Sequence, residues 1–330
     1  MLLEFDADQR LWQGTVRDAV GKQCPASLVR SIAEDGGDAA PLWKLYVDAG
    51  WTELTDPENA VELAIVLEEL GRATDPTPFL ATLTQFAPLV GERFDPQKAG
   101  TAVYDGITAH RDAEGWILNG TARHVLDGDR AERLAVVTAA GVFVVDADEV
   151  TTRRSSVFDP VLHVAEVTFA GVRVADADRL AGDTERARHL AVTGMAITMV
   201  GACQRILDLV IEHVKSREQF GVAIGTFQAV QHKAADMHVA IERARALSYF
   251  AALTIAADDP RRRLAASMAK ASAGECQSLV FRNGLQLFGA MGFTWENDLQ
   301  FALKRAKAGE LMLGGAAEHR TTIAAEYGDF

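Results

Sequence analysis

The chain has 330 residues, 48% hydrophobic and 24% charged, which suits a globular protein with room for about two domains. Its 46 acidic and 33 basic residues give a net charge of −13, which argues against nucleic-acid binding because phosphates are bound by Lys and Arg. The three cysteines lack metal-ligand spacing, so we predict no metal site, no disulfide framework and a cytoplasmic location.

The sequence contains neither a predicted signal peptide nor a predicted membrane span. The apolar run at the N-terminus is too short for a signal peptide. No segment reaches about 18 uninterrupted apolar residues, so we expect no membrane span.

Residues 1–96 are predicted to form an N-terminal helical domain. Apolar side chains recur there at helical spacing. The predicted helices are Asp8–Val20, Pro41–Ala49, Glu58–Leu70 and Phe79–Leu89.

The apolar period changes to two in residues 97–182, which predicts a small β-barrel or sandwich of about seven short strands. Leu134–Val137 and Val142–Val145 are predicted to form a hairpin. Val164–Phe169 and Gly171–Val174 are predicted to form another strand pair.

Residues 183–330 return to the helical period and predict an antiparallel four-helix bundle. The first long helix is predicted to end at Phe220–Gly221. Asp298 is predicted to cap the fourth helix, and Ala316–Tyr327 is predicted to form a fifth. The predicted fold class is therefore a multidomain α+β protein.

The connection between the first two long helices is unusual, because Arg217, Phe220, Phe227 and Gln228 are concentrated there. A solvated cation at a helix end would be the structural explanation for the arginine alone. Two phenylalanines in a turn favour a surface that presents a cation and apolar rings to a cofactor or a partner subunit.

Two motifs in this order resemble the acyl-CoA dehydrogenase family, and the resemblance covers essentially the whole chain. The first has the family pattern R-x-x-F-G, then P-I-x-x-F-Q-x-V-Q-H, then A-D-M. The second resembles Q-x-x-G-G-x-G-Y followed by an acidic residue. In this chain they are Arg217-Glu218-Gln219-Phe220-Gly221, Ile224–His232, Ala235-Asp236-Met237 and Gln286–Phe293 with Glu296.

The resemblance implies an activity. Family members oxidise the Cα–Cβ bond of an acyl-CoA thioester: a carboxylate removes the α proton, and the β hydrogen passes to FAD as hydride. FAD lies across a dimer interface, and its ADP half is received by the neighbouring subunit. The residues implied to receive it are Arg217, Phe220, Gln228, Gln286 and Gly289.

The family's catalytic carboxylate has no counterpart in this chain. Its usual position, in a Y-E-G-T segment, is held by Gly314 in Leu313-Gly314-Gly315-Ala316. The alternative position on the helix before R-x-x-F-G falls at or next to Ala191. The carboxylates that remain as atypical bases are Glu185 and Glu318.

Contacts to the substrate and the flavin ring are also altered. The arginine that orients substrate in many members falls on Val192, although an offset of one turn would bring in Arg188. One strand has the pattern N-G-x-K-x-W-I-T/S-N-G in family members. In this chain His124 replaces the tryptophan, and Leu126 replaces the Thr or Ser whose hydroxyl bonds the flavin. The upstream T-E-P-x-x-G-S segment is absent.

These departures favour one hypothesis over two alternatives. Some actinobacterial steroid side-chain dehydrogenases of this family are α2β2 heterotetramers, in which one chain lends ADP-half elements to its partner's FAD. This chain resembles that non-catalytic subunit, which implies FAD, a second dehydrogenase chain and an acyl-CoA substrate. The alternatives are a homomeric dehydrogenase with an atypical base and a degenerate scaffold without flavin.

Overall fold

A computed structural model describes residues 4–327 of the chain. These residues form two compact units. One comprises the described residues up to Gly37, Pro57–Asp75 and the chain from Val192 onward. The other comprises Asp38–Asp56 and Pro76–Ala191. The order of helices, then strands, then helices agrees with the predicted fold class, whereas the division at residues 96 and 182 stays a prediction.

Helices occupy both ends of the described chain. They are α1 (Ala7–Gln23), α2 (Ala26–Asp35), α3 (Ala40–Asp48), α4 (Ala60–Ala73), α5 (Phe79–Ala81), α6 (Ala87–Val90), α7 (Thr184–Ser216), α8 (Gln228–Ala256), α9 (Arg262–Phe288), α10 (Leu299–Leu311) and α11 (Ala316–Glu326). Three of the four predicted N-terminal helices are present as α1, α3 and α4, and α2 is an additional one.

The strands lie between the two groups of helices, apart from one short ribbon. They are β1 (Gly100–Val103), β2 (Ile107–Arg111), β3 (Trp116–Leu126), β4 (Arg133–Thr138), β5 (Gly141–Asp146), β6 (Thr151–Arg154), β7 (Val164–Val174), β8 (Arg179–Leu180), β9 (Glu218–Gln219) and β10 (Val222–Ala223).

Four long helices of the first unit share one hydrophobic core. Apolar side chains of α7, α8, α9 and α10 meet there at spacings of three and four residues, which places them on one face of each helix. The buried members include Cys203, Ile206, Val210, Met237, Ile241, Ala244, Cys276, Val280, Leu287, Phe288, Leu299 and Leu303. The predicted four-helix bundle is therefore confirmed.

Helices α4 and α7 cross with their backbones in contact. A Cβ atom at Gly71 would overlap the carbonyl oxygen of Thr198, and one at Gly201 would overlap the carbonyl oxygen of Glu68. Each helix therefore needs a residue without a side chain at the point where it meets the other.

The second unit contains a sandwich of two four-stranded sheets, with strand orders β1-β4-β5-β8 and β2-β3-β7-β6. Inward-facing side chains of both sheets form a common core, as in other sandwiches. Its members include Val103, Leu118, Leu134, Phe143, Val167 and Phe169. The predicted hairpin is β4–β5, while β1 pairs with β4 in parallel, which the sequence did not suggest.

Besides the predicted end of α7, three local predictions were wrong. Val164–Val174 is one continuous strand, because it pairs along its length with β3. The predicted helix Phe79–Leu89 contains a π-helical turn at Thr82–Phe86, just before Pro88, which has no N–H to donate. Asp298 gives no side-chain cap to α10, because its carboxylate binds Arg30.

Helix α7 is the one element of the described chain with the length and hydropathy of a membrane span. However, 83% of its most apolar stretch is buried inside the protein. The core helix of a bundle has the same properties.

Candidate functional site

A hairpin follows α7, which ends at Ser216 rather than at the predicted Phe220–Gly221. Gln219 pairs with Val222 across the hairpin, and the two residues between them form its loop. Their φ angles are 57° at Phe220 and 81° at Gly221. Positive φ at both central residues is the property of a type I′ turn, which turns the chain too tightly for the helix to continue.

Phe220 is held in a conformation that phenylalanine rarely adopts. The left-handed region costs a residue with a Cβ atom about 1–2 kcal/mol. Its side chain is 92% exposed, so burial within this chain does not offset that cost. Its ring meets the ring of Phe227 edge to face, with centroids 6.2 Å apart. Backbone strain of this kind is concentrated at binding sites.

Arg217 lies immediately after α7, between the helix and the hairpin. Its backbone N–H donates to the carbonyl of His213 at 2.8 Å, and its carbonyl accepts from the N–H of Ile224 at 2.8 Å. The side chain is exposed and forms no ion pair within residues 4–327. A fixed backbone thus presents an unpaired guanidinium to solvent.

Gln228 is the first residue of α8, and its side chain is exposed. The preceding residue, Phe227, offers no side-chain cap, so the first N–H groups of α8 have no side-chain acceptor in the described chain. These groups and the helix dipole favour an anion at this end. The α8 N-terminus and Arg217 therefore place two anion-attracting features in one connection.

The second motif lies at the C-terminal end of α9. The helix ends where Gly289 adopts φ 62° and ψ −141°, a combination essentially restricted to glycine, and its N–H bonds to the carbonyls of Leu285 and Gln286. No described atom would meet a Cβ at Gly289, and both Gln286 and Gly289 are exposed. The backbone here is open to a ligand.

A ring stack brings the two motifs together. His213, four residues before Arg217, lies flat against Phe288, with ring centroids 4.4 Å apart and planes 12° apart. Burial and then the nearby charge of Arg217 lower the pKa of His213, which favours the neutral ring. The five residues predicted from the motifs therefore lie at one end of the bundle, and all five are exposed.

Exposed apolar side chains are concentrated around this end. The described chain has eleven large hydrophobic side chains that are exposed, and six of them fall in the two segments 220–227 and 291–295. Clustering of this kind marks an interaction surface. The six are Phe220, Val222, Phe227, Met291, Phe293 and Trp295.

Comparison with known proteins agrees with these motifs. The profile of the acyl-CoA dehydrogenase C-terminal domain matches residues 188–328. A curated relative, the acyl-CoA dehydrogenase IpdE2 of Mycolicibacterium smegmatis, is 30% identical over 97% of this chain and 98% of its own length. The chain belongs to the acyl-CoA dehydrogenase family.

Solved structures share its fold. The ChsE4–ChsE5 complex from Mycobacterium tuberculosis contains a chain with a TM-score of 0.90 and 23% identity, covering 100% of both chains. A variant of the Tcur3481–Tcur3483 steroid ACAD contains one with a TM-score of 0.84 and 25% identity, covering 96% of this chain and 97% of that one. Both resemble this chain over nearly its whole length, so the acyl-CoA dehydrogenase fold is confirmed.

The position of the family's usual base is occupied by a compact polar cluster. Gly314 has φ 91°, and its carbonyl accepts from the Nζ of Lys270, which is fully buried, at 2.5 Å. A Cβ at residue 314 would lie 2.9 Å from Nε2 of His319 and 3.2 Å from Cδ of Glu318. Both the missing side chain and the crowded space argue against a simple replacement by glutamate.

The two carboxylates considered as atypical bases are both exposed. Glu318 lies in the first turn of α11, and Glu185 in the first turn of α7, where its carboxylate is 3.9 Å from Nε2 of His189. Exposure leaves a carboxylate well hydrated, which is the opposite of the dry setting in which general bases abstract protons from carbon.

The remaining positions that the family uses on α7 carry apolar residues. Ala191 is fully buried and Val192 is 5% exposed. Arg188 is exposed, with its guanidinium 5.5 Å from the centre of the Tyr104 ring. The guanidinium is thus available at the surface of its own unit.

The strand that would face the flavin ring is distorted at the altered positions. His124 has φ 59° and lies in a bulge where the pairing of β3 with β7 shifts, between Ala122 and Val125. Leu126 is buried, and its carbonyl accepts from the hydroxyl of Thr101 at 2.5 Å. This local structure offers no side-chain donor at residue 126.

Sequence reasoning missed three features of the site. They are the hairpin, the stack of His213 on Phe288 and the uncapped start of α8. The dipeptide Phe220-Gly221 carried a weak signal for the hairpin, since glycine is common in type I′ turns, but phenylalanine before it pointed away from one.

Proposed function

We propose that this chain is the FAD-donating, non-catalytic subunit of a heteromeric acyl-CoA dehydrogenase. In this proposal its exposed bundle end receives the ADP half of a flavin whose ring half is bound by a second family chain. The observation that carries the proposal is the unpaired, exposed Arg217 beside the strained, exposed Phe220.

The residues at this end suit the ADP half of FAD. Members of the family bind FAD. Arg217 supplies a planar cation that can bond two phosphate oxygens at once, and the uncapped α8 N-terminus adds N–H donors for the same anion. Gln228 and Gln286 offer amides that can donate or accept, and Gly289 lets the backbone approach closely. This fit supports binding of the pyrophosphate and ribose.

The other half of the reaction machinery is assigned to the partner. When bound, FAD supplies the hydride acceptor of the reaction. Position 314 has no carboxylate, and Leu126 has no donor for the flavin edge, so the base and the ring contacts are proposed to come from the second chain. In this chain Lys270 and the turn at Gly314 then serve to hold α10 and α11 together.

The structural relatives support a heteromeric assembly with a bulky substrate. One is a complex of two chains, ChsE4 and ChsE5, and the other is the steroid ACAD Tcur3481–Tcur3483. We propose an α2β2 complex that acts in the cytoplasm on an acyl-CoA with a polycyclic acyl group.

One observation favours a second candidate, a homomeric dehydrogenase with Glu318 as base. The Glu318 carboxyl carbon lies 3.2 Å from where a Cβ atom of residue 314 would be. It is therefore near the position from which the side chain of the family's usual base extends. On this alternative the lone chain binds FAD at one molecule per chain and oxidises acyl-CoA. Glu318→Gln then abolishes the activity without loss of flavin.

Flavin content separates the candidates. The chain is purified alone and after co-expression with family chains from the same genome that retain the base. Our proposal predicts little flavin in the lone chain and about one FAD per two chains in the complex. Stoichiometric flavin with activity in the lone chain would contradict it, and a stable complex without flavin would favour the scaffold alternative.

A further inference from the structure

One arginine from the N-terminal part of the same unit bonds the connection between α9 and α10, where Trp295 also contacts Gln300 and Lys304 of α10. Arg30 lies on α2. Its Nη1 donates to the carbonyl of Trp295 at 3.0 Å, and its Nη2 donates to the carbonyl of Glu296 at 3.1 Å and to Oδ1 of Asp298 at 2.7 Å. A single planar guanidinium thus bonds three residues of the connection between α9 and α10.

The same guanidinium is fixed from its other sides. Nη1 also donates to Oε1 of Glu34 at 2.5 Å, and the guanidinium carbon lies 5.2 Å from the centre of the Phe301 ring. Glu34 in turn accepts from the indole N–H of Trp295 at 2.6 Å. We call Arg30, Glu34, Trp295 and Asp298 the Arg30 clamp.

The clamp is more than an isolated surface ion pair. Exposed pairs contribute little, because solvent screens them and two long side chains must be ordered. Here the Arg30 side chain is only 25% exposed and bonds two backbone carbonyls as well as two carboxylates. Lysine cannot reproduce this pattern, because an ammonium lacks the planar fork.

Short hydrogen-bonded turns connect the clamp to the cofactor segment. The N–H of Thr294 donates to the carbonyl of Met291, and the N–H of Asn297 donates to the carbonyl of Thr294, both at 3.4 Å. Residues Gly289–Phe293 form a 3₁₀ helix directly after Phe288. These turns connect residue 295 to the 3₁₀ helix, so a fixed position at residue 295 restrains the segment that begins at Gly289.

We propose that Arg30 is the positioning residue for the segment Gly289–Phe293 and so for cofactor and partner binding by that segment. The effect on cofactor and partner binding rests on the proposed function, whereas the positioning of the segment does not. Nothing in the family motifs includes Arg30, which lies more than 250 residues before the segment in the chain. Without the clamp, the 3₁₀ helix Gly289–Phe293 would lose the contact that fixes its C-terminal side, and Gly289 would keep only its bonds to the end of α9.

The first test uses the lone chain and needs no flavin. Arg30→Met and Arg30→Lys are compared with the matched control Arg10→Met, since Arg10 is an exposed arginine of α1. Hydrogen exchange of the amides in residues 291–298 is expected to accelerate about tenfold or more in Arg30→Met, less in Arg30→Lys and not in the control. Unchanged exchange in α8 shows that the bundle remains folded. Equal exchange in all variants would overturn the role of Arg30 as the anchor.

The second test measures the FAD dissociation constant of the complex with the partner chain. Arg30→Met is expected to weaken flavin binding several-fold, and Arg30→Lys is expected to weaken it less. Hydrogen exchange in α8 should stay unchanged in both variants. If Arg217→Ala weakens binding but Arg30→Met does not, the positioning role is overturned and the proposed function stands. If the unmodified complex holds no flavin, the proposed function fails together with the cofactor half of the inference.

Discussion

At the residue scale, Phe220 presents a conflict between folding and binding. Its ring gains almost nothing from the chain to which it belongs, and its backbone angle is unfavourable for any residue with a Cβ atom other than Asn or Asp. A side chain retained under these conditions is explained by a contact outside the chain, which is how we interpret it.

Replacing Phe220 by Asn should therefore stabilise the lone chain. Asn tolerates the left-handed region, and Asn-Gly is the preferred sequence of a type I′ turn. We expect Phe220→Asn to raise the free energy of unfolding by about 1 kcal/mol, as measured by chemical denaturation. The same change should weaken FAD retention in the complex.

Phe158→Asn is the matched control for this substitution. Phe158 is also an exposed phenylalanine, but its φ is not in the left-handed region, so no strain is relieved there. A destabilised Phe220→Asn chain, or an unchanged flavin affinity of its complex, would contradict the interpretation of Phe220 as a strained binding residue.

Single residues differed in how far the sequence could predict them. Arg217 and Gln228 are proposed from motif matches, because the types and spacing of their neighbours are specific, and the structure shows both of them exposed. The φ angle of Phe220 could not, since a turn is selected by the pairing of flanking strands as much as by its own two residues. Asp298 was misassigned because its carboxylate had two possible uses, and Arg30 is remote in sequence.

At the element scale, the crossing of α4 and α7 depends on two glycines. Gly201→Ala should destabilise the chain by about 1–3 kcal/mol, because the new methyl overlaps the carbonyl of Glu68 and the helices must separate. Thermal or chemical unfolding measures the effect.

Gly14→Ala in α1 is the matched control for this crossing. Apart from the backbone of its own helix and its two chain neighbours, no described atom lies within 4 Å of a Cβ at Gly14, so the alanine should stabilise its helix by about 0.5–1 kcal/mol. If the two alanine variants shift stability by the same amount and in the same direction, the close crossing of α4 and α7 is incorrect.

The junction of α9, α10 and α11 should give stability an unusual pH dependence. Burial lowers the pKa of Lys270 from 10.5 to about 8, against the opposing effects of Glu310 and Glu318. Between about pH 8 and 10 the unfolded chain therefore holds a proton that the folded chain has lost, so stability rises with pH in this window. Below pH 8 both states are charged and the contribution is flat.

Lys270→Met isolates this contribution. We expect the unfolding free energy of the unmodified chain, minus that of Lys270→Met, to rise by roughly 2–3 kcal/mol between pH 8 and 10. Denaturant titrations at several pH values measure the difference. A constant difference across the window would show that Lys270 titrates normally.

Long helices were predictable from the sequence because a single period extends over many residues. Their ends were less so: α7 ends early because Gln219 and Val222 pair across a turn, an interaction outside the helical pattern. In the β region, β7 continues through Gly171, where the sequence suggested a break, because β3 pairs on both sides of that glycine. The parallel pairing of β1 with β4 joins segments that are distant in the chain and left no local signal.

At the scale of the whole molecule, family membership and fold followed from motif order, and the comparisons confirmed both. The division of labour between two chains is our proposal. Its basis is the exposed surface around Arg217, to which we assign the ADP half, in a chain whose position 314 is glycine. A surface of this kind serves another chain's cofactor if the arginine acts across the interface.

The FAD dissociation constant of the two-chain complex tests this claim most directly, with Arg217→Ala in this chain alone and Arg10→Ala as the control. Loss of a charge-assisted hydrogen bond to phosphate predicts about 10- to 100-fold weaker flavin binding for Arg217→Ala. The complex should remain assembled, and the control should match the unmodified complex. Flavin binding that is equally tight in all three complexes would contradict the account.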